Sequence, residues 1–359
     1  MRIPNVAVLG TGDSGSHHAW SVSESMRANL HTICCTDRSR PVAEMLQRKH
    51  GAENVTTDYE DVLSNPDIDI VIVCTPNSMH PEHAVPSLAA GKHTYIEKPL
   101  AVSRQGAQAI VDAARTSGKM VQVGQDLRFA PMYEAIKALV YDGKLGEPCY
   151  VEGEFVEDLQ PNIDGPTHDW YLNFEREGQL PVFCGGGRLL DMMRWIAGEI
   201  VEVNAWGANR NLPKAPWHDT VVANVKFENG CLGKFTVCVG ARVPPAHNLS
   251  YYGTKGTIIN NRLFLGGVPH TKDFMDIGVG MKFDPHYVYD AVLDHFLDCI
   301  ETGDRPRIDE IDGARTVAAC CAVVESMKTG QPEPVHLIPD YKEVANFAKL
   351  SDGKLRPSA

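Results

Sequence analysis

Three glycines near the start of the chain have the spacing that a phosphate-binding turn requires. Gly10, Gly12 and Gly15 follow the apolar run 6–9 and precede a segment long enough for a helix. In this arrangement the first glycine permits a tight turn, the second permits close approach to a pyrophosphate, and the third lets the helix pack on the strand. Amides at the helix N-terminus then face the phosphates. The pattern indicates a dinucleotide site.

An acidic residue closes the next apolar run, 32–36. Asp37 lies close to the offset expected for a carboxylate that binds the adenosine ribose, and its charge would repel a 2′-phosphate. The guanidinium of the neighbouring Arg38 can either hold a 2′-phosphate, which would favour NADP, or stack on adenine. NAD is therefore the expected cofactor, and NADP is the less favoured alternative.

A lysine that could exchange a proton follows a later strand. Lys98 comes just after the short run 93–96, at the sheet edge where a nicotinamide and a substrate would meet. Partial desolvation can lower the pKa of such an amine enough for acid or base catalysis. Its position alone leaves a solvated surface amine as an equal alternative.

Strand and helix patterns alternate through residues 1–125, which predicts an α/β domain of the Rossmann type with a doubly wound parallel sheet. The continuous apolar run 70–74 is typical of a strand buried on both faces. It ends in Thr75, Pro76 and Asn77, where such sheets bind ligands. This first domain is expected to hold the dinucleotide.

The pattern changes to successive strands in residues 126–350, which predicts an α+β domain for substrate binding and oligomerisation. Candidate strands are 150–156, 201–207, 220–227, 231–239 and 248–252, with a hairpin turn at 228–230. They would form a largely antiparallel sheet with one open face. An uncovered apolar face favours aggregation, so we expect a homo-oligomer.

Composition narrows the classes of function. The chain has 359 residues and a net charge of -12, which suits two domains and argues against nucleic acid as a partner. No apolar run is long enough for a membrane span, and the first apolar segment already serves as a strand. The ten cysteines contain no C-x-x-C pair and no metal-ligand pattern appears, so we expect buried thiols, no metal and a cytoplasmic enzyme.

Several motifs together resemble the Gfo/Idh/MocA family of NAD(P)-dependent oxidoreductases. They are Gly10, Gly12 and Gly15 with His18-Ala19, Thr75-Pro76-Asn77 with His80, Glu97-Lys98-Pro99, and the segment 252–256. The resemblance implies that Lys98 is the catalytic lysine. It implies a cis Lys98–Pro99 bond as well, since this bond is often cis in the family. It also implies that the residues of these motifs border the cofactor, that the substrate is a sugar, cyclitol or glycoside, and that the oligomer is a dimer or tetramer.

One segment departs from the family pattern D-x-G-x-H-x-x-D. An ungapped alignment puts Cys184 at the first acid and Arg188 at the usual catalytic histidine. An alignment on the glycine run instead keeps Asp191 as the first acid and puts Trp195 at the histidine. Neither alignment restores the histidine, and a guanidinium stays charged, so Arg188 can bind an oxygen but cannot act as a base.

Three functions therefore stay open. The first is a carbohydrate dehydrogenase in which Lys98 accepts the proton, helped by Asp191 or by the loop residue His168. The second is an NAD-dependent glycosidase that uses transient oxidation, and the third is a dinucleotide-binding sensor without turnover. The residues expected to line the substrate site are Arg128, Trp170 and Arg188, because guanidinium groups bind hydroxyls and an indole stacks on a sugar ring.

Overall fold

The computed structural model describes residues 2–165, 168–173, 180–267, 272–278 and 285–338, without the side chains of residues 168, 169 and 285–287. Its first strands are β1 (Asn5–Leu9), β2 (Asn29–Cys34), β3 (Asn54–Thr56), β4 (Ile68–Val73), β5 (His93–Glu97) and β6 (Val121–Gly124). They form a six-stranded sheet in the order β3-β2-β1-β4-β5-β6. All pairs are parallel, so the predicted doubly wound sheet is confirmed.

Five α-helices connect these strands: α1 (Asp13–Glu24), α2 (Arg40–His50), α3 (Glu60–Ser64), α4 (His80–Ala89) and α5 (Arg104–Ser117). Short 3-10 turns lie at Asp37–Ser39, Asn77–Met79 and Asp126–Phe129. Local sequence explains several helix ends. The hydroxyl of Ser103 caps α5 by accepting from the Gly106 N–H at 3.1 Å, and Gly51 ends α2 in the left-handed region.

The second sheet is built on β7 (Pro148–Val156), β8 (Ile200–Ala208), β9 (Thr220–Phe227), β10 (Leu232–Cys238) and β11 (Ala246–Gly253). Four short strands extend it: β12 (Gly256–Ile259), β13 (Arg262–Leu265), β14 (Met275–Asp276) and β15 (Glu333–Pro334). The order is β14-β13-β12-β11-β7-β10-β9-β8-β15. All pairs are antiparallel except β7 with β10, so the sheet is mixed but mostly antiparallel, as predicted.

The remaining helices are α6 (Pro131–Tyr141), α7 (Gln160–Asp164), α8 (His168–Leu172), α9 (Gly185–Ala197), α10 (Pro285–Thr302) and α11 (Glu310–Thr329). Helices α9 and α11 cover one face of the second sheet. Within the described part of the chain, no helix combines the length and apolarity that a membrane span needs.

Glycines set how closely α9 approaches the second sheet. A Cβ at Gly185 would lie 2.0 Å from the Phe155 ring, and one at Gly186 would lie 2.7 Å from a Val237 methyl. A Cβ at Gly153, on the sheet side, would lie 2.7 Å from the Met193 sulfur. Any larger residue would push helix and sheet apart. This close packing fixes the start of α9, from which the Arg188 side chain reaches the site described below.

The opposite face of the second sheet carries no helix among the described residues. Strand β9 alternates buried and exposed residues, which is typical of a sheet covered on one side. Trp206 and Leu232 are 55% and 58% exposed on this open face. Val222 pairs with Trp206 across β8 and β9, which places their side chains in one row.

Candidate active site

A cavity of about 1240 Å³ lies at the carboxyl edge of the parallel sheet. The loops after β1, β2, β4 and β5 form one wall, and the other wall comes from the end of β7, from α8 and from the start of α9. Ligand sites of open α/β sheets occur at this edge because the loops after the strands converge there. The two sheets therefore meet around a single site.

The glycine loop fits the phosphates of a dinucleotide. Gly10 has a φ of +101°, and a Cβ there would lie 2.4 Å from the Cys74 carbonyl oxygen. A Cβ at Gly15 would lie 2.2 Å from the Gly10 oxygen, whereas one at Gly12 would meet no protein atom within 4 Å. Gly10 and Gly15 thus pack turn and helix together, and Gly12 leaves space at the cavity for a pyrophosphate.

The side chains predicted for the adenosine end lie near this loop. Asp37 follows β2, is exposed and lines the cavity together with Ser39. Arg38 is also exposed, but it does not belong to the described lining. This difference favours the carboxylate as the ribose contact.

The loop after β4 brings three predicted residues to the cavity: Thr75, Pro76 and Asn77. Asn77 is buried, and its side-chain amide donates to the Cys184 sulfur at 3.6 Å. The contact joins the first sheet to the residue before α9. Cys184, which the ungapped alignment puts at the first acid of the family pattern, is therefore a neighbour of this loop.

His80 connects two loops. Its ring is fully buried, with Nδ1 at 2.7 Å from the Pro99 carbonyl oxygen and Nε2 at 3.0 Å from that of Thr75. Burial lowers the pKa of His80, which favours the neutral ring. The Lys98–Pro99 bond is cis, as the resemblance implied. His80 thus holds the loop after β4 against the segment that presents Lys98.

Glu97 is held from two sides. Its Oε1 lies 2.9 Å from Nε2 of the buried His18, and its Oε2 accepts from the Lys98 backbone N–H at 3.3 Å. Burial alone would raise the pKa of Glu97, but the hydrogen bond and charge of His18 outweigh it and hold the pKa below its ordinary value. These contacts hold the Glu97 carboxylate between His18 and the Lys98 backbone.

Lys98 lines the cavity and is partly buried. Burial lowers the pKa of its amine, and the positive charge of Arg188 lowers it further. No hydrogen bond or ion pair of this amine is found among the described residues, and the amine is therefore available to a substrate hydroxyl. Such an amine can be neutral at a pH where an exposed lysine is charged.

Arg188 enters the cavity from the first turn of α9. Its Nε and Nη2 donate to Oδ1 and Oδ2 of Asp126, both at 2.8 Å. The Asp126 charge overcomes the effect of burial and raises the pKa of Arg188, so the guanidinium stays charged. Arg188 therefore lies at the predicted site, and it cannot act as a base.

Asp191 and Arg128 lie elsewhere. Arg128 donates from Nε and Nη2 to both Asp191 oxygens, at 2.7 and 2.8 Å, and both residues are almost completely buried. Neither belongs to the described lining of the cavity. Thr316 and Arg194 complete the surroundings of Asp191. The pairing argues against the expectation that Asp191 assists catalysis and that Arg128 contacts substrate, because each group is the ion-pair partner of the other.

Helix α8 contributes Trp170, which lines the cavity as predicted. His168 begins α8, but its side chain lies outside the described residues, so its predicted role as a base stays a prediction. Sequence reasoning missed Asp126, Glu157 and Tyr289 among the polar lining residues. Asp126 lies two residues after β6 and Glu157 directly follows β7, positions that could have identified them. Tyr289, on α10, carries no such local signal.

Comparison with known proteins identifies the class. Residues 4–125 match the family model described as "Oxidoreductase family, NAD-binding Rossmann fold". Residues 133–259 match the model of the GFO/IDH/MocA C-terminal domain. Fold, site and matches define an oxidoreductase whose cofactor is NAD. The chain belongs to the Gfo/Idh/MocA family.

Similar proteins include two curated dehydrogenases. The scyllo-inositol 2-dehydrogenase (NAD(+)) of Bacillus subtilis is 28% identical over 340 residues, which cover 91% of this chain and 94% of that protein. The levoglucosan dehydrogenase of Pseudarthrobacter phenanthrenivorans is 27% identical over 291 residues, which cover 73% and 74%. A solved levoglucosan dehydrogenase in complex with NADH and L-sorbose superposes with a TM-score of 0.87 at 22% identity, covering 94% of this chain and 100% of that one. This last match establishes the fold.

Proposed function

We propose that this protein oxidises a secondary hydroxyl of a sugar, cyclitol or glycoside with NAD, and that Lys98 accepts the hydroxyl proton. The observation that supports this proposal most directly concerns the Lys98 amine. Lys98 lines the same cavity as the glycine loop, and burial and the charge of Arg188 lower the pKa of its amine. The relatives named as inositol and levoglucosan dehydrogenases support the substrate class.

Different residues of the chain bind the parts of the cofactor and accept the substrate proton. Gly10, Gly12 and Gly15 receive the pyrophosphate, Asp37 the adenosine ribose, and the loop Thr75-Pro76-Asn77 with His80 and Glu97 borders the nicotinamide side. When bound, NAD supplies the hydride acceptor. A neutral Lys98 can then take the proton from the substrate oxygen.

Trp170 and Arg188 are the proposed substrate contacts. Both line the same cavity as the glycine loop. An indole face stacks on the apolar face of a sugar ring, and the guanidinium edge that does not face Asp126 can donate to hydroxyls. Together the two side chains suit a polyhydroxylated substrate.

The glycosidase and the sensor receive less support. A sensor has no need of an amine with a lowered pKa at the cavity, and several relatives are named as dehydrogenases. Two relatives are named as glycosyl hydrolases of family 109. The experiment below therefore includes glycoside cleavage among its outcomes.

We also propose a cytoplasmic homo-oligomer with domains at 1–125 and 126–350. The exposed Trp206, Val222 and Leu232 on the open face suit burial against a second copy. The cysteines are free thiols, which suits a reducing compartment.

A panel of monosaccharides, inositols and glycosides, incubated with the protein with and without NAD, tests the function. Stoichiometric NADH with an oxidised product supports the dehydrogenase. Cleavage without net NADH supports the glycosidase, and tight dinucleotide binding without turnover supports the sensor.

A further inference from the structure

Glu157 is a carboxyl group of the cavity that the mechanism above does not use. It directly follows β7, and its backbone N–H donates to the Cys238 carbonyl oxygen at 3.0 Å, which fixes the chain there. Its side chain lines the same cavity as Lys98 and Arg188. Among the described residues, no hydrogen bond or ion pair of this carboxyl is found. The group is thus built into the site without a structural partner.

Arg188 links Glu157 to Lys98. All three residues line the same cavity, and the Arg188 charge lowers the pKa of the Lys98 amine and opposes the rise that burial causes in the pKa of Glu157. The guanidinium is already paired with Asp126 in a bidentate contact. Glu157 therefore faces two cations without being bound in an ion pair to either.

Burial gives this carboxyl an unusual proton affinity. Burial raises the pKa of Glu157, and the positive charges of Arg188 and Lys98 reduce that rise only in part. The other titratable neighbours are Asp158, on the same segment, and Tyr171, from α8. A carboxylate in these surroundings accepts a proton more readily than an exposed glutamate does.

We propose that Glu157 is a second acid–base group of the active site, which takes the proton from Lys98 and releases it to solvent. The inference rests on the proposed function, in which Lys98 receives that proton first. Glu157 would supply the acid–base capacity that Arg188 cannot supply, since a guanidinium stays charged.

The steps balance. The C–H bond of the carbinol breaks, and its electron pair leaves with hydrogen to the oxidant NAD, while the O–H proton forms a bond to Nζ of Lys98. An N–H bond of the resulting ammonium then breaks, its electron pair stays on nitrogen, and the proton joins a Glu157 oxygen. Loss of that proton to water restores the carboxylate and the neutral amine.

Glu157→Gln tests the role against a matched control, Asp158→Asn. Asp158 is the adjacent carboxylate, but it accepts from Arg242 and from the Gln160 N–H and does not belong to the described lining of the cavity. With levoglucosan and scyllo-inositol as probes, we expect Glu157→Gln to lower kcat about a hundredfold, with KM little changed. The acid limb of the kcat profile should lose one of two ionisations, and formate should restore activity to Glu157→Ala. Asp158→Asn should resemble the wild type.

A second readout needs no substrate. Titration of a ¹³C-labelled Lys98 by NMR should show a lower pKa in Glu157→Gln, because a nearby negative charge is lost, and no change in Asp158→Asn. An unchanged Lys98 pKa in Glu157→Gln overturns the inference, as does a wild-type pH profile. A protein that oxidises neither probe nor any other member of the panel, yet shows the Lys98 shift, contradicts the proposed function and leaves the coupling of the two groups established.

Discussion

Arg188 donates two parallel hydrogen bonds, both 2.8 Å long, to the carboxylate of Asp126. Asp126 follows the last strand of the parallel sheet, and Arg188 begins the helix that covers the second sheet, so the ion pair joins the two halves of the site. It also fixes the protonation of Arg188, because the carboxylate stabilises the cation. The proton of the reaction must then go to another group.

Replacement of Lys98 by Ala or Met should lower the turnover for substrate oxidation at least about a hundredfold, since positioned acid–base groups contribute at least that much. Because burial and Arg188 lower the pKa of the amine, the neutral form grows as pH rises through that pKa. The wild-type rate should therefore rise toward mildly alkaline pH. Steady-state rates of NADH formation between acid and alkaline pH measure both effects.

Dinucleotide binding controls for misfolding of these variants. Both should bind NAD with nearly normal affinity by fluorescence titration, since the glycine loop is untouched. Near-normal turnover in Lys98→Ala, with loss of activity in His168→Ala, would show that His168 is the base.

Asp37→Ala should weaken NAD binding and improve the relative affinity for NADP, because the substitution removes a ribose contact and a repulsive charge. Arg38→Ala is the matched control, since its side chain lies outside the described lining of the cavity. Titrations of both dinucleotides give the ratio. Unchanged affinities in Asp37→Ala would disprove the ribose assignment.

The sequence predicted the parallel sheet, its order of strands and helices, and the dinucleotide loop, because these depend on local patterns such as the run 70–74 and the three glycines. It did not predict that Asp191 and Arg128 form a buried ion pair with each other. They are 63 residues apart, and only their packing shows that they pair. Whether an arginine or an aspartate lies at the cavity or in the buried network depends on contacts between residues far apart in the sequence. No local pattern encodes these contacts.

Asp191→Asn should reduce stability by about 3 kcal/mol, because loss of one partner leaves Arg128 buried without a full counter-charge. Denaturation in urea measures the change. Asp112→Asn, which breaks an exposed pair with Arg115, should change stability by less than about 1 kcal/mol. A large loss of turnover in a fully stable Asp191→Asn protein would instead support the catalytic role first expected for this residue.

Arg188→Met should also destabilise the protein by about 3 kcal/mol, since Asp126 would keep an unpaired charge in a mostly buried position. The double variant with Asp126→Asn should recover much of this loss, which a double-mutant cycle measures. Burial raises the pKa of Asp126, but Arg188 outweighs it and holds the pKa below its ordinary value. The contribution is therefore present above the unfolded carboxyl pKa and is lost as pH falls through the folded pKa. Unfolding curves of Arg188→Met should lack this acid loss.

A charge on the open face of the second sheet should dissociate the oligomer. Leu232 on β10 and Trp206 on β8 are large and more than half exposed. They lie on the same face of the sheet, because each pairs with a residue on one face of the intervening strand β9, Lys226 and Val222. Leu232→Lys with Trp206→Lys would place two ammonium groups where a second copy has to bury apolar surface, which is unfavourable without partners. Sedimentation velocity at micromolar concentration should show a monomer for this variant and a dimer or tetramer for the wild type. Met26→Lys, at a position 92% exposed on the first half of the chain, is the matched control and should assemble normally. A wild-type protein that sediments as a monomer would refute the proposed assembly.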